Sequence, residues 1–436
     1  MTGDFARQYM ERFLIVLSIA AFQVTDRFGT TTIMAIDRQS PACQSEHRDG
    51  CGAKTHTKAR AMEHDFEDVD SECCRTDEEI FDLGLLADGL ARSGYGEFVA
   101  NFDPLVPRPN AWWACRESIP VSLRPVVDLF LMNEPVEADA IPAFLQALIP
   151  ALMDIGLIVA LAGNRIATPG LVILPVWGNW LICERPGPNP AFYFGEDSVA
   201  LLARMLPRSG GDCLDLCSGP GLHAVHCARF AASVAAVEID ATAARLARIN
   251  ARLNRVVDRL DVFHGDLYQP VVGRRFHTIV ANPPLLPYPD ALPAPRVGYA
   301  GPDGFRIIGR ILEGLPHALR EDGAAQIIGM TLSDGRMPVI AGRLDGIAKE
   351  SDMAIRFSAL SHKRLMSGDA YFDLVAGSMT RVSGKEAPLV EDALRTMLAS
   401  QKCSHLCTFF LHVVPGNGQF DLIDVSQPDH PGFWYI

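Results

Sequence analysis

The C-terminal half of the chain alternates short apolar runs with longer segments in which apolar residues recur every three or four positions. The short runs are typical of buried strands and cover residues 213–216, 234–237, 262–263, 277–280 and 325–330. The segments with helical spacing cover residues 198–205, 223–230, 241–254 and 304–319. This alternation predicts an α/β domain over residues 190–436, built on a doubly wound, mostly parallel sheet.

Two more apolar runs, residues 408–414 and 420–425, flank the sequence Pro415-Gly416-Asn417-Gly418 near the C-terminus. Asn-Gly between apolar runs is a strong signal for a tight turn between neighbouring strands. We therefore expect a C-terminal antiparallel hairpin that closes the otherwise parallel sheet.

The pattern before residue 190 is different. Helical spacing over residues 80–90, 121–132 and 139–155 is followed by short strand-like runs at 157–160, 171–174 and 177–182. Residues 77–189 are therefore interpreted as an accessory, substrate-recognition domain of α+β type, either winged-helix-like or a plain α+β cap. Residues 1–76 are expected to be a poorly ordered extension, because ten acidic residues and one basic residue lie between Glu63 and Asp82.

Composition narrows the classes of partner. The formal net charge of −13 makes nucleic acid an unlikely partner, since an acidic protein repels phosphates. The eleven cysteines have no disulfide-framework spacing, which favours a cytoplasmic location. The apolar run over residues 13–24 is too short to span a bilayer, so no membrane is implied. No metal site is predicted, because neither Cys43, His47 and Cys51 nor the Cys403–Cys407 region matches a four-ligand pattern.

Four polar or glycine-rich motifs follow successive predicted strands. They are Asp215-Leu216-Cys217-Ser218-Gly219-Pro220-Gly221, Glu238-Ile239-Asp240, Gly265-Asp266-Leu267 and Asn282-Pro283-Pro284. Glycines at a strand-to-helix turn let the backbone approach a ligand closely, and a carboxylate after the next strand can accept ribose hydroxyl hydrogens. Open α/β sheets bind ligands at this edge, so the order of the motifs predicts a nucleotide-type cofactor site there.

Together these motifs resemble the class I S-adenosylmethionine-dependent methyltransferases, and among them the release-factor glutamine N-methyltransferase group. The segments Tyr193–Ser198 and Tyr299–Gly304 add to the resemblance, which covers about residues 190–330. It implies a Rossmann-like methyltransferase enzyme with S-adenosyl-L-methionine as cofactor. The implied cofactor-binding residues are Asp215, Cys217, Gly219, Gly221, Glu238, Ile239, Asp266, Leu267 and Asn282.

The resemblance also implies how the acceptor is held. Asp215 and the glycine backbone would hold the methionine part of the cofactor, Glu238 the ribose and Asp266 the adenine. Asn282 and the Pro283 carbonyl would accept hydrogen bonds from an acceptor N–H group, which aims its lone pair at the methyl carbon. The family has an aromatic residue after Asn-Pro-Pro, whereas this chain has Leu285, so Tyr288 is a candidate to supply the ring from a shifted position.

Three functions stay open at this point. The first is N-methylation of a protein side chain or of a small-molecule nitrogen, supported by the Asn282 motif. The second is a specialised-metabolism enzyme that methylates carbon or oxygen, or cyclises the cofactor's aminobutyrate chain, for which Leu285 and the extra regions leave room. The third is a non-catalytic binding protein on a methyltransferase scaffold, which usually has eroded glycines, whereas Gly219, Gly221 and Glu238 are present. The pattern does not determine the oligomeric state.

Overall fold

The computed structural model describes residues 23–25, 31–33, 81–102, 109–185, 190, 192, 194–295, 297–427 and 432–434. The described residues from Asp82 onward belong to one compact unit. A second unit spans Ala21–Phe81, in which strands β1 (Gln23–Thr25) and β2 (Thr31–Ile33) pair antiparallel. Apart from these two strands, the extension predicted over residues 1–76, with its cysteines, lies outside the described residues.

Residues 82–185 contain short helices followed by short strands, as the α+β interpretation predicts. The helices are α1 (Gly84–Arg92), α2 (Tyr95–Ala100), α3 (Pro109–Ala114), α4 (Arg124–Val127), α5 (Ala143–Gln146) and α6 (Ile149–Asp154). The strands are β3 (Val136–Glu137), β4 (Val159–Leu161), β5 (Arg165–Ala167), β6 (Leu171–Val176) and β7 (Asn179–Glu184). β3, β5 and β4 form one antiparallel sheet in that order, and β6 pairs with β7.

Two of the predicted helices have a different form. The helix expected over residues 139–155 is split into α5 and α6, because Pro150 stands in the first turn of α6 and has no N–H to continue a helix from α5. The helix expected over residues 121–132 begins as α4 and continues as a wider π-type turn over Asp128–Met132.

The large sheet has eight strands in the order β10-β9-β8-β11-β12-β14-β13-β15. The strands are β8 (Asp212–Leu216), β9 (Ser233–Glu238), β10 (Leu260–His264), β11 (Phe276–Ala281), β12 (Leu319–Ser333), β13 (Met353–Arg364), β14 (His405–Pro415) and β15 (Phe420–Asp424). The helices are α7 (Glu196–Leu202), α8 (Leu222–Cys227), α9 (Ala241–Leu253), α10 (Arg306–Ala318), α11 (Ala341–Ser351), α12 (Ala370–Ser383) and α13 (Ala387–Ser400). The five strands from β10 to β12 are parallel, which confirms the mostly parallel α/β sheet.

The predicted C-terminal hairpin is wrong, because β13 lies between β14 and β15. Ile355 of β13 is in register with Val413 of β14 on one side and with Phe420 of β15 on the other. The connecting turn bonds to β13 and to the residue before it: Ile355 N of β13 donates to Gln419 O, and Gly416 N donates to Asp352 O. β13 itself comes from residues 331–404, to which the sequence pattern assigned no elements.

The core forms where both faces of this sheet are covered. Alternate residues of β8, β11, β12 and β14 are fully buried with the apolar face of α10, including Leu214, Ile279, Ile327, Phe409 and Leu312. Apolar burial of this extent stabilises the strands and fixes the positions of their ends. The carboxyl ends of the parallel strands therefore form a rigid platform.

One buried side chain joins the hairpin β6–β7 to this platform. Asn250 of α9 is fully buried; its Nδ2 donates to Ile182 O and Pro220 O, and its Oδ1 accepts from Ile182 N. Asn254, one turn later, bonds to the backbone of Trp180 in the same way. Because Pro220 lies in the loop after β8, the accessory strands are fixed directly to that loop.

Candidate functional site

A cavity of about 380 Å³ lies at the carboxyl ends of β8, β9, β10 and β11. Its described lining comes from the four strand ends, residues 217–220, 237–240, 265–267 and 282–286, from Phe192, Phe194, Asp197 and Ser198, from Leu222 and His223, and from Val297, Gly298, Ile307 and Arg310. We call this cavity the pocket. The structure thus brings together residues of all four motifs, at the edge of the sheet where the sequence places a ligand.

The glycine loop, residues 217–221, forms one side of the pocket. Cys217, Gly219 and Gly221 all have positive φ, at 57°, 52° and 85°. A Cβ at Gly221 would lie 2.9 Å from the Ala247 Cβ of α9, so a side chain there would push the loop away from this helix. The non-glycine Cys217 in a left-handed conformation is local strain of the kind found at functional sites.

Asp215 does not line the pocket among the described residues; it lies beneath the glycine loop. It is fully buried, and its Oδ2 accepts from Ala224 N of α8 at 2.9 Å. Burial, and secondarily the Glu238 charge, raise the pKa of the Asp215 carboxyl well above its usual range. Asp215 thus holds the start of α8 through Oδ2, while its Oδ1 is buried without a partner among the described residues. The contact with the methionine part of a cofactor that the resemblance implies stays a prediction.

Glu238 connects the end of β9 to the glycine loop. Its Oε2 accepts from Gly219 N at 2.7 Å and its Oε1 from Asp240 N at 2.9 Å. Burial raises the pKa of this carboxyl, and the two backbone donors oppose that change. The neighbouring Ile239 lines the pocket with 66% of its surface exposed, an apolar face available to a flat ligand.

The third strand end adds a residue that the sequence analysis missed. Arg310 of α10 lines the pocket and donates to Asp266 Oδ2 at 2.7 Å. Leu267 follows with φ of 48° and is buried. Arg310 stands 44 residues after Asp266, so no local spacing signals the pair.

Asn282 is held by the first turn of α7. Its Nδ2 donates to Asp197 Oδ2 at 2.9 Å and to Ser198 Oγ at 3.3 Å. Its Oδ1 is buried and has no hydrogen-bond partner among the described residues. Asp197 and Ser198 were not predicted as site residues; the resemblance of Tyr193–Ser198 to a segment over the cofactor was the one signal for them.

The part of the pocket beyond Asn282 is apolar. Leu285, Leu286 and Val297 line it together with Phe192 and Phe194.

Tyr288 does not reach the pocket among the described lining residues. It is 2% exposed, and its ring meets Tyr299 edge-on with centroids 6.2 Å apart. The aromatic rings in the pocket come from the segment before α7, not from the shifted position after Asn-Pro-Pro.

His223 fixes the same first turn of α7 from the opposite side. Its Nε2 donates to Ser198 O at 2.8 Å, and burial lowers its pKa to about 4. The imidazole is therefore neutral in the folded protein near neutral pH and protonates in the unfolded chain near pH 6.5.

The free energy of unfolding should consequently fall as the pH drops from about 6.5 to about 4, with His223 contributing about 3 kcal/mol of that loss. Between these values the unfolded state binds the proton and the folded state does not; above them both states are neutral and the contribution is complete. Urea unfolding at pH 7.5 and pH 5 measures it. His223→Gln, which keeps an N–H donor and cannot titrate, should lose less stability; equal losses would contradict the assignment.

The other candidates from the sequence do not form a second site. Cys407 is buried with its Sγ 4.0 Å from His362 Nε2, and His405 bonds to the neighbouring Ser404. Across the described residues, no cluster of three or more His, Cys, Asp or Glu side chains has an arrangement that could hold a metal ion. Within the same part of the chain, every helix is too short or too polar to cross a membrane.

Comparison with known proteins identifies relatives of the pocket-bearing region. Residues 194–291 match the family model described as the methyltransferase small domain. A putative protein N5-glutamine methyltransferase of Methanocaldococcus jannaschii is 34% identical over 32% of this chain and 71% of its own. The ribosomal protein uL3 glutamine methyltransferase of Burkholderia pseudomallei is 34% identical over 27% of this chain and 44% of its own.

A release factor glutamine methyltransferase of Thermosynechococcus vestitus is 32% identical over 29% of this chain and 49% of its own. The chain thus spans less than half the length of the uL3 and release-factor relatives. Among solved structures, the tRNA m1G37 methyltransferase of Methanocaldococcus jannaschii aligns over 57% of this chain and 55% of its own, with 12% identity and a TM-score of 0.34.

Proposed function

Because the chain belongs to the class I S-adenosylmethionine-dependent methyltransferases, we propose that it methylates the side-chain amide nitrogen of a protein residue, glutamine being the first acceptor to test. The observation that carries this proposal is the carbonyl of Asn282, a residue that lines the pocket: its Oδ1 is buried and has no hydrogen-bond partner among the described residues, while Nδ2 is held by Asp197 and Ser198. A buried acceptor atom left open in this way suits an N–H donor on the substrate.

Two properties of the pocket suit S-adenosylmethionine, the cofactor of this family. They are the net negative charge of its lining and the polar atoms there that have no partner among the described residues. Its described lining has four carboxylates and one guanidinium, which favours a ligand with positive charge; the residues are Asp197, Glu238, Asp240, Asp266 and Arg310. Ser218 also lines the pocket, and its Oγ is buried with no partner in the described part of the chain. When bound, the cofactor supplies a methyl group activated on a sulfonium sulfur.

We assign a role to each group of lining residues. Cys217 and Gly219 of the glycine loop contact the methionine part of the cofactor, while Gly221, which packs closely against α9, and Asp215 act through this loop. The free lone pairs of Glu238 accept the ribose hydroxyls, while Ile239 and Leu267 flank the adenine. Asp266, oriented by Arg310, accepts from the adenine amino group.

The acceptor nitrogen is placed by two carbonyl groups. Asn282 Oδ1 and the Pro283 carbonyl accept hydrogens from the substrate amide and so turn its lone pair toward the methyl carbon. When bound, the cofactor would supply the methyl group; the part of this chain is to hold the acceptor nitrogen, which would release one N–H proton to solvent. Positive charge growing on the nitrogen strengthens the bonds to both carbonyls, so they stabilise the transition state more than the ground state.

The accessory residues 77–189 are proposed to select the protein substrate. The elements from α4 to β5 follow the order α4, β3, α5, α6, β4 and β5. This order and the sheet order β3-β5-β4 support the winged-helix-like interpretation. Two relatives are named for ribosomal protein uL3 and for a release factor, which supports a protein partner. The cytoplasmic location stays a prediction. The division at residues 77 and 190 stays a prediction.

A small-molecule nitrogen is the second candidate, and the aliphatic lining favours it. Leu285, which is 4% exposed, stands where the family has an aromatic ring, and Leu286 and Val297 extend the apolar surface. Such a surface accepts an apolar acceptor as readily as a glutamine side chain. Carbon or oxygen methylation has less support, because neither needs the open carbonyl of Asn282.

The test uses the purified chain, S-adenosylmethionine labelled in the methyl group, and the release factor and ribosomal protein uL3 of the same organism. Hydrolysis of an N-methyl amide releases labelled methylamine, whereas an O-methyl ester releases methanol and a C-methyl group stays in the residue. We expect hydrolysis of a labelled protein band to release labelled methylamine when the wild-type chain is used. With Asn282→Ala, this labelled methylamine should be absent. Label in the small-molecule fraction of a cell extract would favour the second candidate instead.

Glu238→Ala should weaken S-adenosylmethionine binding by about 2–4 kcal/mol, because it removes buried, charge-assisted ribose contacts and releases Gly219 N. Calorimetric titration measures the change. Glu238→Gln keeps one acceptor oxygen for Gly219 N and should lie between the alanine variant and wild type. An alanine variant with wild-type affinity and an unchanged unfolding midpoint would remove Glu238 from the cofactor site.

A further inference from the structure

The amide of Asn282 has two possible orientations, and the first turn of α7 selects one of them. Asp197 presents a carboxylate oxygen 2.9 Å from Asn282 Nδ2, and Ser198 Oγ lies 3.3 Å from the same nitrogen. A carboxylate can only accept, so an amide turned the other way would set its Oδ1 against the Asp197 oxygen. The observed orientation is therefore strongly preferred.

In this orientation Asn282 Oδ1 has no hydrogen-bond partner within the part of the chain that the structure describes. We propose that Asp197 is a positioning residue of the methyl-transfer site, which locks the Asn282 amide with its carbonyl oxygen toward the acceptor N–H. The inference rests on the proposed function only for the identity of the acceptor. The fixed orientation of Asn282 by Asp197, which we call the lock, does not depend on that function.

The position of Asp197 in the fold supports this role over that of a simple helix-terminal acid. A carboxylate in the first turn of a helix is favourable at an exposed site as well, yet Asp197 is only 3% exposed. Burying a carboxylate is costly unless it is hydrogen-bonded, and Asn282 Nδ2 provides such a bond. His223, bonded to Ser198 O, fixes the backbone that carries the carboxylate.

The carboxylate also changes the chemistry of the carbonyl it orients. Hydrogen bonds in a buried chain polarise one another, and a charged acceptor on Nδ2 increases the negative partial charge on Oδ1. As the acceptor nitrogen becomes positive, its N–H group bonds more strongly to such an oxygen. Loss of Asp197 should therefore lower kcat and leave cofactor affinity close to wild type.

The first measurement needs no acceptor. In protein labelled with ¹⁵N at asparagine, the side-chain NH₂ resonances of Asn282 are assigned by their loss in Asn282→Ala. Asp197→Ala should shift both resonances and speed their exchange with solvent on the order of tenfold or more, because the charged hydrogen bond is gone. Asp197→Asn keeps an acceptor oxygen and should retain most of the protection, and Glu196→Ala, in the same helical turn, should leave both resonances unchanged.

The second measurement is kinetic, with the acceptor that the labelling experiment identifies. Asp197→Ala should lower kcat on the order of 10²-fold with the Kd for S-adenosylmethionine within about threefold of wild type, since it disturbs alignment and not cofactor binding. Asp197→Asn should recover part of the loss.

Unchanged Asn282 resonances in folded Asp197→Ala protein would overturn the inference. The inference would also be overturned if Asp197→Ala lowered kcat, cofactor affinity and the unfolding midpoint together, because that result indicates a purely structural residue. If no amide is methylated at all, the proposed function is wrong. The resonance experiment still tests whether Asp197 fixes the orientation of the Asn282 amide.

Discussion

Asn282→Ala is expected to lower turnover on the order of 10²- to 10³-fold while cofactor affinity stays close to wild type. The variant removes a side-chain carbonyl whose oxygen is buried and has no hydrogen-bond partner among the described residues. Asp197 and Ser198 hold this amide in a fixed orientation. That group bonds more strongly to the acceptor as charge develops on its nitrogen, so its loss appears in kcat and not in cofactor binding. Steady-state kinetics with labelled methyl donor and calorimetric titration measure the two effects separately.

The matched control is Asn254→Ala. Asn254 is also a partly buried asparagine whose amide is fully engaged, but with the backbone of Trp180, away from the pocket. Its loss should lower the unfolding midpoint and leave the turnover of the folded protein intact. If Asn282→Ala instead loses cofactor affinity and turnover in equal proportion, Asn282 is structural and the proposed acceptor geometry is wrong.

Gly304→Ala is expected to destabilise the fold on the order of 3–5 kcal/mol, from the left-handed backbone together with overpacking. Gly304 has φ of 79°, and an added Cβ would lie 1.9 Å from Met330 O of β12. The preceding Asp303 O accepts from buried Thr331 Oγ1, so the segment cannot move away without breaking that bond. Chemical denaturation followed by circular dichroism gives the change in free energy of unfolding.

Gly301→Ala separates backbone strain from the steric clash. Gly301 has nearly the same φ, 80°, but its added Cβ meets nothing nearer than the Arg306 Cβ at 3.4 Å. This variant should cost only the left-handed backbone energy of about 1–2 kcal/mol. Equal destabilisation by the two substitutions would show that close approach to β12 contributes nothing.

The parts of the fold that the sequence predicted are those governed by local patterns. Strand and helix periodicity placed β8 to β12 and the helices between them, since each parallel strand is a short apolar run buried on both faces. The same patterns placed β14 and β15, but the pairing expected between these two strands was wrong. Asn417-Gly418 is a sound local turn signal, but the hydrogen bonds of that turn go to β13, which precedes both α12 and α13 in the chain.

By itself the sequence determined the class of sheet, the edge that carries the pocket and the four motifs at that edge. These result from order along the chain, because consecutive parallel strands present their carboxyl ends together. Only the tertiary structure decided which side chains reach the pocket. Asp215 proved to lie beneath the glycine loop, Tyr288 is buried beside Tyr299, and Arg310 joins Asp266.

The orientation of Asn282 was likewise beyond the sequence, because its partner Asp197 lies 85 residues earlier and on a different element. Spacing along the chain specifies which residues come directly after each strand, whereas contacts between distant segments depend on how helices pack over the sheet. The edge that carries the pocket is a local property of consecutive strands, and the sequence determined it. The orientation of the Asn282 amide depends on a long-range hydrogen bond that forms only when the first turn of α7 is folded against the end of β11, and the tertiary structure alone decided it.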